Sequence, residues 1–147
     1  MSFTASAGRL FWLLICAAVI AVVIHGSSFT AERAAPDDLA KHGEYLVHHV
    51  AMCIYCHTPR TARGELDRSR LLQGAAVPIN APFPNDQWAF EAPRLAGLPS
   101  GWREPDLIQF LQSGGTLKGR QAQPPMPPYR MTKEDAEAVT AYLKALK

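Results

Sequence analysis

The pentapeptide Cys53-Ile54-Tyr55-Cys56-His57 constrains this chain more than any other feature, because it sets two thiols three residues apart with an imidazole immediately after the second. Thiols at that spacing are too close to staple a fold as a disulfide framework, so they point to ligation or attachment chemistry. The C-x-x-C-H order is the pattern of covalent haem attachment: on a short helical turn each thiol can form a thioether to one porphyrin vinyl group. His57 is then forced under the iron as its proximal ligand.

Two other chemistries share the Cys-x-x-Cys spacing. A structural zinc site needs a second Cys/His pair. The remaining cysteine, Cys16, lies in an apolar run, and His25, His42, His48 and His49 all precede the motif with no pair downstream. A thioredoxin-like dithiol needs a strand-to-helix junction in a βαβ pattern, whereas here a helical pattern leads in and no strand pattern follows. Haem is the expected cofactor, one per chain and covalently bound.

Attachment of haem c takes place outside the cytoplasm, and the N-terminus carries a matching signal. Arg9 is the only charged residue before Glu32, and an unbroken apolar run occupies residues 10–24. Secretory h-regions run to about 15 residues and membrane spans to about 20, so the run sits between them. No A-x-A site precedes a sensible mature start, and only Gly26-Ser27-Ser28 is acceptably small. The expectation is an uncleaved anchor within residues 1–30, with Arg9 inside the cell and the following domain on the periplasmic side of the inner membrane. A cleaved signal with a soluble periplasmic product is the alternative. Residues 31–36 read as a tether and residues 37–147 as the folded domain. The net charge of +2, from 15 basic and 13 acidic residues without a basic block, argues against nucleic acid as a partner.

The folded part reads as all-α. Asp37 or Asp38 can cap a first helix in which Leu39, Leu46, Val47 and Val50 form an apolar stripe ending near Ala51. Residues 59–99 hold three glycines and six prolines with no sustained period, a long wrapping segment of the sort that surrounds a bound group. Residues 105–113 form a second helix with Leu107, Ile108 and Leu111 on one face and Gly114-Gly115 as its stop. Pro124-Pro125-Met126-Pro127-Pro128 should be extended and stiff. Thr132, answered by Asp135, caps a last helix that buries Ala136, Val139, Leu143 and Leu146.

Met126 is the candidate sixth ligand, a soft thioether framed by prolines that order its loop. Met131 is the alternative, but it directly precedes the Thr132 cap, where an apolar residue staples a helix start. Met52 abuts Cys53 on the wrong side. His and Met together would leave no open coordination position, so the iron would change charge without binding substrate: electron transfer, not catalysis.

These residues resemble the class I cytochromes c, particularly single-haem cytochrome subunits and domains of bacterial membrane-bound dehydrogenases. The likeness covers about residues 37–147. It rests on Gly43 and Tyr45, on Cys53 to Pro59 as C-I-Y-C-H-T-P, on Ala92-Pro93-Arg94-Leu95, on Pro125-Met126-Pro127 and on Ala141-Tyr142-Leu143. It implies the class I cytochrome c fold, helices wrapped around one haem, with Gly43 letting the first helix cross closely over the last near Tyr142. It also implies that the Pro93 carbonyl accepts a hydrogen bond from His57, and that Trp88 and Tyr129 lie near the haem propionates. Redox partner proteins follow from it: a dehydrogenase, a quinol-oxidising complex or a terminal oxidase, with the membrane reached through residues 10–24 if uncleaved. Two departures are the length of the chain between His57 and Pro93 and the entry Gly101-Trp102-Arg103-Glu104-Pro105 into the second helix. The competing functions are a free periplasmic electron shuttle and a haem-based ligand sensor, the latter needing an open or weakly held sixth position.

Overall fold

The computed structural model describes residues 35–146 except Asn85. The apolar run at residues 10–24, Cys16 and most of the tether lie outside the described residues. Among those described, no helix is long and apolar enough to cross a membrane.

Helix α1, Pro36–Tyr45, begins with proline in its first turn and Ala35, not an aspartate, as its cap. Proline tolerates this position because its missing N–H would be unbonded there anyway. Asp37 and Asp38 instead sit in the first turn, where the helix dipole favours negative charge. The helix continues as a π-helical turn, Leu46–Val50, closed by the Ala51 N–H donating to the Leu46 carbonyl at 2.7 Å. A five-residue step rotates the phase of the apolar stripe. That is why Leu46, Val47 and Ala51 are buried while Val50, expected on the buried face, is 57% exposed.

A short helix α2, Ile54–His57, carries the cysteine motif and ends at Thr58 in an extended conformation, as the residue before a proline prefers. The wrapping segment is more ordered than its composition suggests. An isolated bridge joins Arg60 and Leu66, a 3₁₀ turn spans Arg68–Arg70, and β1 (Ala75–Ala76) pairs antiparallel with β2 (Glu91–Ala92). A second pair, β3 (Thr116–Leu117) with β4 (Arg120–Gln121), follows helix α3 (Glu104–Gln112). The strandless expectation is therefore corrected. Two-residue strands carry no readable alternation, and backbone pairing at a distance creates them.

Helix α3 starts where Asp106 reaches back to accept from the Arg103 N–H at 3.0 Å, and it buries Leu107 and Leu111 with Ile108 only half-buried. It stops as expected, with Gly114 and Gly115 at positive φ. Helix α4, Lys133–Ala145, is capped by the Thr132 hydroxyl, which accepts from the Asp135 N–H at 3.1 Å. The Asp135 carboxylate does not return the bond. It pairs with His42 of α1 at 2.8 Å.

The core gathers Leu46, Val47, Leu72, Leu107, Leu111, Val139 and Leu143, and α1 against α4 is the most extensive helix pairing in it. Gly43 sits at the crossing. A Cβ there would stand 1.9 Å from the Ala138 carbonyl oxygen and 2.9 Å from the Tyr142 Cβ, so only glycine permits the approach.

Candidate haem-attachment site

Helix α2 places both cysteines and the histidine on barely more than one turn, since Cys53 is its cap and Cys56 and His57 are its last residues. Neither Cys53 nor Cys56 is in a disulfide. Burial pushes the Cys53 thiol up to about 11, so before reaction it is a neutral thiol at physiological pH.

His57 is buried, and its Nδ1–H donates to the Pro93 carbonyl at 2.7 Å. Burial lowers the imidazole's pKa and the Pro93 bond partly opposes the shift, so the ring is held neutral, the state that a metal ligand requires. With Nδ1 committed, Nε2 is the nitrogen left for iron, and among the described residues it has no hydrogen-bond partner. A backbone acceptor on the far nitrogen fixes the tautomer and raises ligand basicity.

Three supports around this histidine left no signal in the sequence beyond an isolated glycine in an irregular stretch. The Gly74 N–H donates to the His57 carbonyl at 2.8 Å, and the buried Thr58 hydroxyl accepts from the Leu72 N–H at 3.0 Å. The Leu72 carbonyl in turn accepts from Leu95 and Ala96 at 2.9 and 3.1 Å. Residues 72–76 thus lie between the motif and the Pro93 strand, bonded to both.

The segment around Met126 is not extended. A turn forms in which the Met126 N–H donates to the Gln123 carbonyl at 3.1 Å, leaving Met126 half-buried. Prolines exclude helix and central strand, but their fixed φ suits a turn equally well. Tyr129, three residues beyond Met126, is tied to the chain that leads into α2: its hydroxyl donates to the carbonyl of Ala51, two residues before Cys53. Burial, with the two cysteine sulfurs nearby, pushes that hydroxyl up to about 12. Trp88 is half-buried and its indole N–H donates to the Ile79 carbonyl at 3.0 Å. Met131 packs on the core and its N–H donates to the Leu111 carbonyl at 3.0 Å, a stapling position. Among the described residues no cluster of three or more His, Cys, Asp or Glu residues is grouped to hold a metal ion.

Two unpaired thiols and a buried imidazole with one committed nitrogen form a donor set that fits a covalently attached haem. The family model for cytochrome c matches residues 40–147. The chain belongs to the cytochrome c family. Membership implies covalent haem c, and electron transfer as its chemistry.

Among the curated proteins, this cytochrome c domain is 32% identical over 109 residues to the fructose dehydrogenase cytochrome subunit of Gluconobacter japonicus, covering 71% of this chain and 20% of that protein. It is 31% identical over 115 residues to a diheme cytochrome c-type protein of Cereibacter sphaeroides, covering 75% and 36%. The cytochrome c subunit of the quinone alcohol dehydrogenase of Komagataeibacter europaeus is 30% identical over 129 residues, covering 80% and 26%. The chain therefore spans between about a fifth and about a third of the length of these relatives.

Proposed function

We propose that this chain is a single-haem electron carrier on the periplasmic side of the inner membrane, tethered through residues 10–24 and taking electrons from a dehydrogenase within a respiratory assembly. The reading of one haem rests on the single C-x-x-C-H in the sequence. The partner follows the relatives, two of which are named as cytochrome subunits of dehydrogenases. A net charge of +2 also suits a tethered subunit better than a carrier steered by a strong field.

The observation that carries the reading is the convergence on α2. Cys53 and Cys56 offer attachment, Pro93 sets the His57 ring, and Tyr129, three residues after Met126, is fastened to Ala51 just ahead of the motif. Haem, when bound, supplies an iron that shuttles between two oxidation states. The chain's own residues would hold it: His57 and Met126 as the iron's ligands, with Trp88 and Tyr129 bracing the loops. A methionine held there would leave no open coordination position, which favours the carrier over the ligand-sensor reading.

The test is the optical spectrum of reduced wild type and Met126→Ala under carbon monoxide, both produced with haem-attachment machinery. Wild type is expected to be low-spin and indifferent to the gas, and the variant to bind it. A wild type that binds carbon monoxide readily would move the protein to the sensor class.

A further inference from the structure

The two candidate ligand-bearing loops are far apart in sequence, yet one short segment, residues 89–93 with β2 at its centre, bonds to both. At its C-terminal end Pro93 accepts the His57 Nδ1–H at 2.7 Å. Next to it Ala92 and Glu91 pair with Ala75 and Ala76, and the Phe90 carbonyl accepts from the Val77 N–H at 2.9 Å. At its N-terminal end the Ala89 N–H donates to the Pro124 carbonyl at 2.7 Å. Pro124 stands two residues before Met126, inside the turn that the Met126 N–H closes on Gln123.

Both ends of this segment are held from outside. On the histidine side, Gly74 donates to the His57 carbonyl, and a Cβ on Gly74 would lie 2.9 Å from the Arg94 nitrogen and 3.2 Å from the Pro93 carbonyl carbon, so the two backbones are in close contact. On the methionine side, the Trp88 indole N–H reaches across its loop to the Ile79 carbonyl at 3.0 Å, fixing the residue that precedes Ala89.

We propose that residues 89–93 act as a strap that sets the Met126 turn against the His57 support, with Trp88 and Ala89 as positioning residues for the methionine. Both act through backbone placement and neither is a ligand. The inference rests on the reading of Met126 as sixth ligand. It gives the long insertion between His57 and Pro93 a role, which is to register one ligand loop against the other.

The strap is tested on the full chain with haem attached, using wild type, Met126→Ala, Trp88→Phe, Ala89→Pro and Ala89→Gly. The readouts are the ferric sulfur-to-iron charge-transfer band, carbon monoxide binding by the reduced protein, the midpoint potential and the far-ultraviolet circular dichroism. Trp88→Phe keeps an aromatic ring and loses the N–H; Ala89→Pro removes the donor to Pro124; Ala89→Gly retains it. The expected result is loss or weakening of the band, carbon monoxide binding approaching that of Met126→Ala and a lowered potential in Trp88→Phe and Ala89→Pro. Helix content should be unchanged, and Ala89→Gly should behave as wild type. If Ala89→Pro does not fold, Trp88→Phe decides. A closed wild type together with a closed, full-band Trp88→Phe overturns the strap while leaving Met126 as ligand; a wild type that already binds carbon monoxide overturns both.

Discussion

The α1/α4 joint and the wrapping segment at residues 59–99 hold the same haem site by opposite means. The joint is made by side-chain surfaces: a glycine that lets two helices touch, with Val47, Val139 and Leu143 almost fully buried around it. The wrapping segment has few helical residues, and its order comes from backbone groups bonded across long separations, such as Gly74 to His57 and Leu95 to Leu72. Leu72 and Leu98 even adopt positive φ there, a conformation costly for a bulky residue unless its surroundings enforce it. A packed joint fails when volume is added; a bonded wrap fails when a donor or acceptor is removed.

The sharpest way to break the joint is Gly43→Val. With a Cβ already 1.9 Å from the Ala138 oxygen, the expected loss exceeds the ~1–3 kcal/mol typical of overpacked sites. Urea unfolding of the haem-loaded protein should show it as a large drop in midpoint, and an unchanged midpoint would mean that the helices do not meet as described. The wrap should respond to Thr58→Val, which adds no volume but leaves the buried Leu72 N–H without its 3.0 Å acceptor. An unmet buried donor costs about 1–3 kcal/mol, again read from the unfolding midpoint. If the loss is negligible, hydrogen bonding is not what orders this segment.

The smallest effect expected is electrostatic and belongs to the joint. His48, in the π-helical turn that follows α1, shares a 2.8 Å hydrogen bond with the Tyr142 hydroxyl of α4. Burial lowers the His48 pKa; Glu44 opposes the shift, while His49 and Arg68 add to it. A pKa lower in the folded than in the unfolded state means that the native form binds fewer protons. The contribution is therefore complete above about pH 6.5 and is lost as pH falls below it through the lowered folded value. Stability measured from pH 7.5 downward should flatten in His48→Gln relative to wild type, and identical slopes would remove His48 from the account.

What could be read in advance divides along the same line. The attachment motif was legible because covalent chemistry demands a fixed spacing, and α3 and α4 because apolar period, the Thr132 cap and the Gly114-Gly115 stop are local signals. The Gly43 crossing and the Pro93 bond came from the likeness to a family, since neither leaves a local trace. The rest was decided at a distance. The π-helical turn displaced Val50, His42 drew Asp135 away from its cap, and the β1/β2 pair joins Ala75 to Ala92 and Ala76 to Glu91 across a stretch that shows no alternation. Met126 stands out as a residue type in a proline frame, but the proline run reveals neither the bond from Ala89 to Pro124 in its turn nor that from Tyr129 to Ala51.

Covalent attachment of one haem through Cys53 and Cys56 is the step on which every other proposed role depends. Its most direct test is the mass of the denatured protein, produced with haem-attachment machinery, beside that of a Cys53→Ala/Cys56→Ala double variant. Wild type should show a mass raised by a single haem that survives denaturation, and the double variant none. A wild type of unmodified mass, colourless after unfolding, would contradict it.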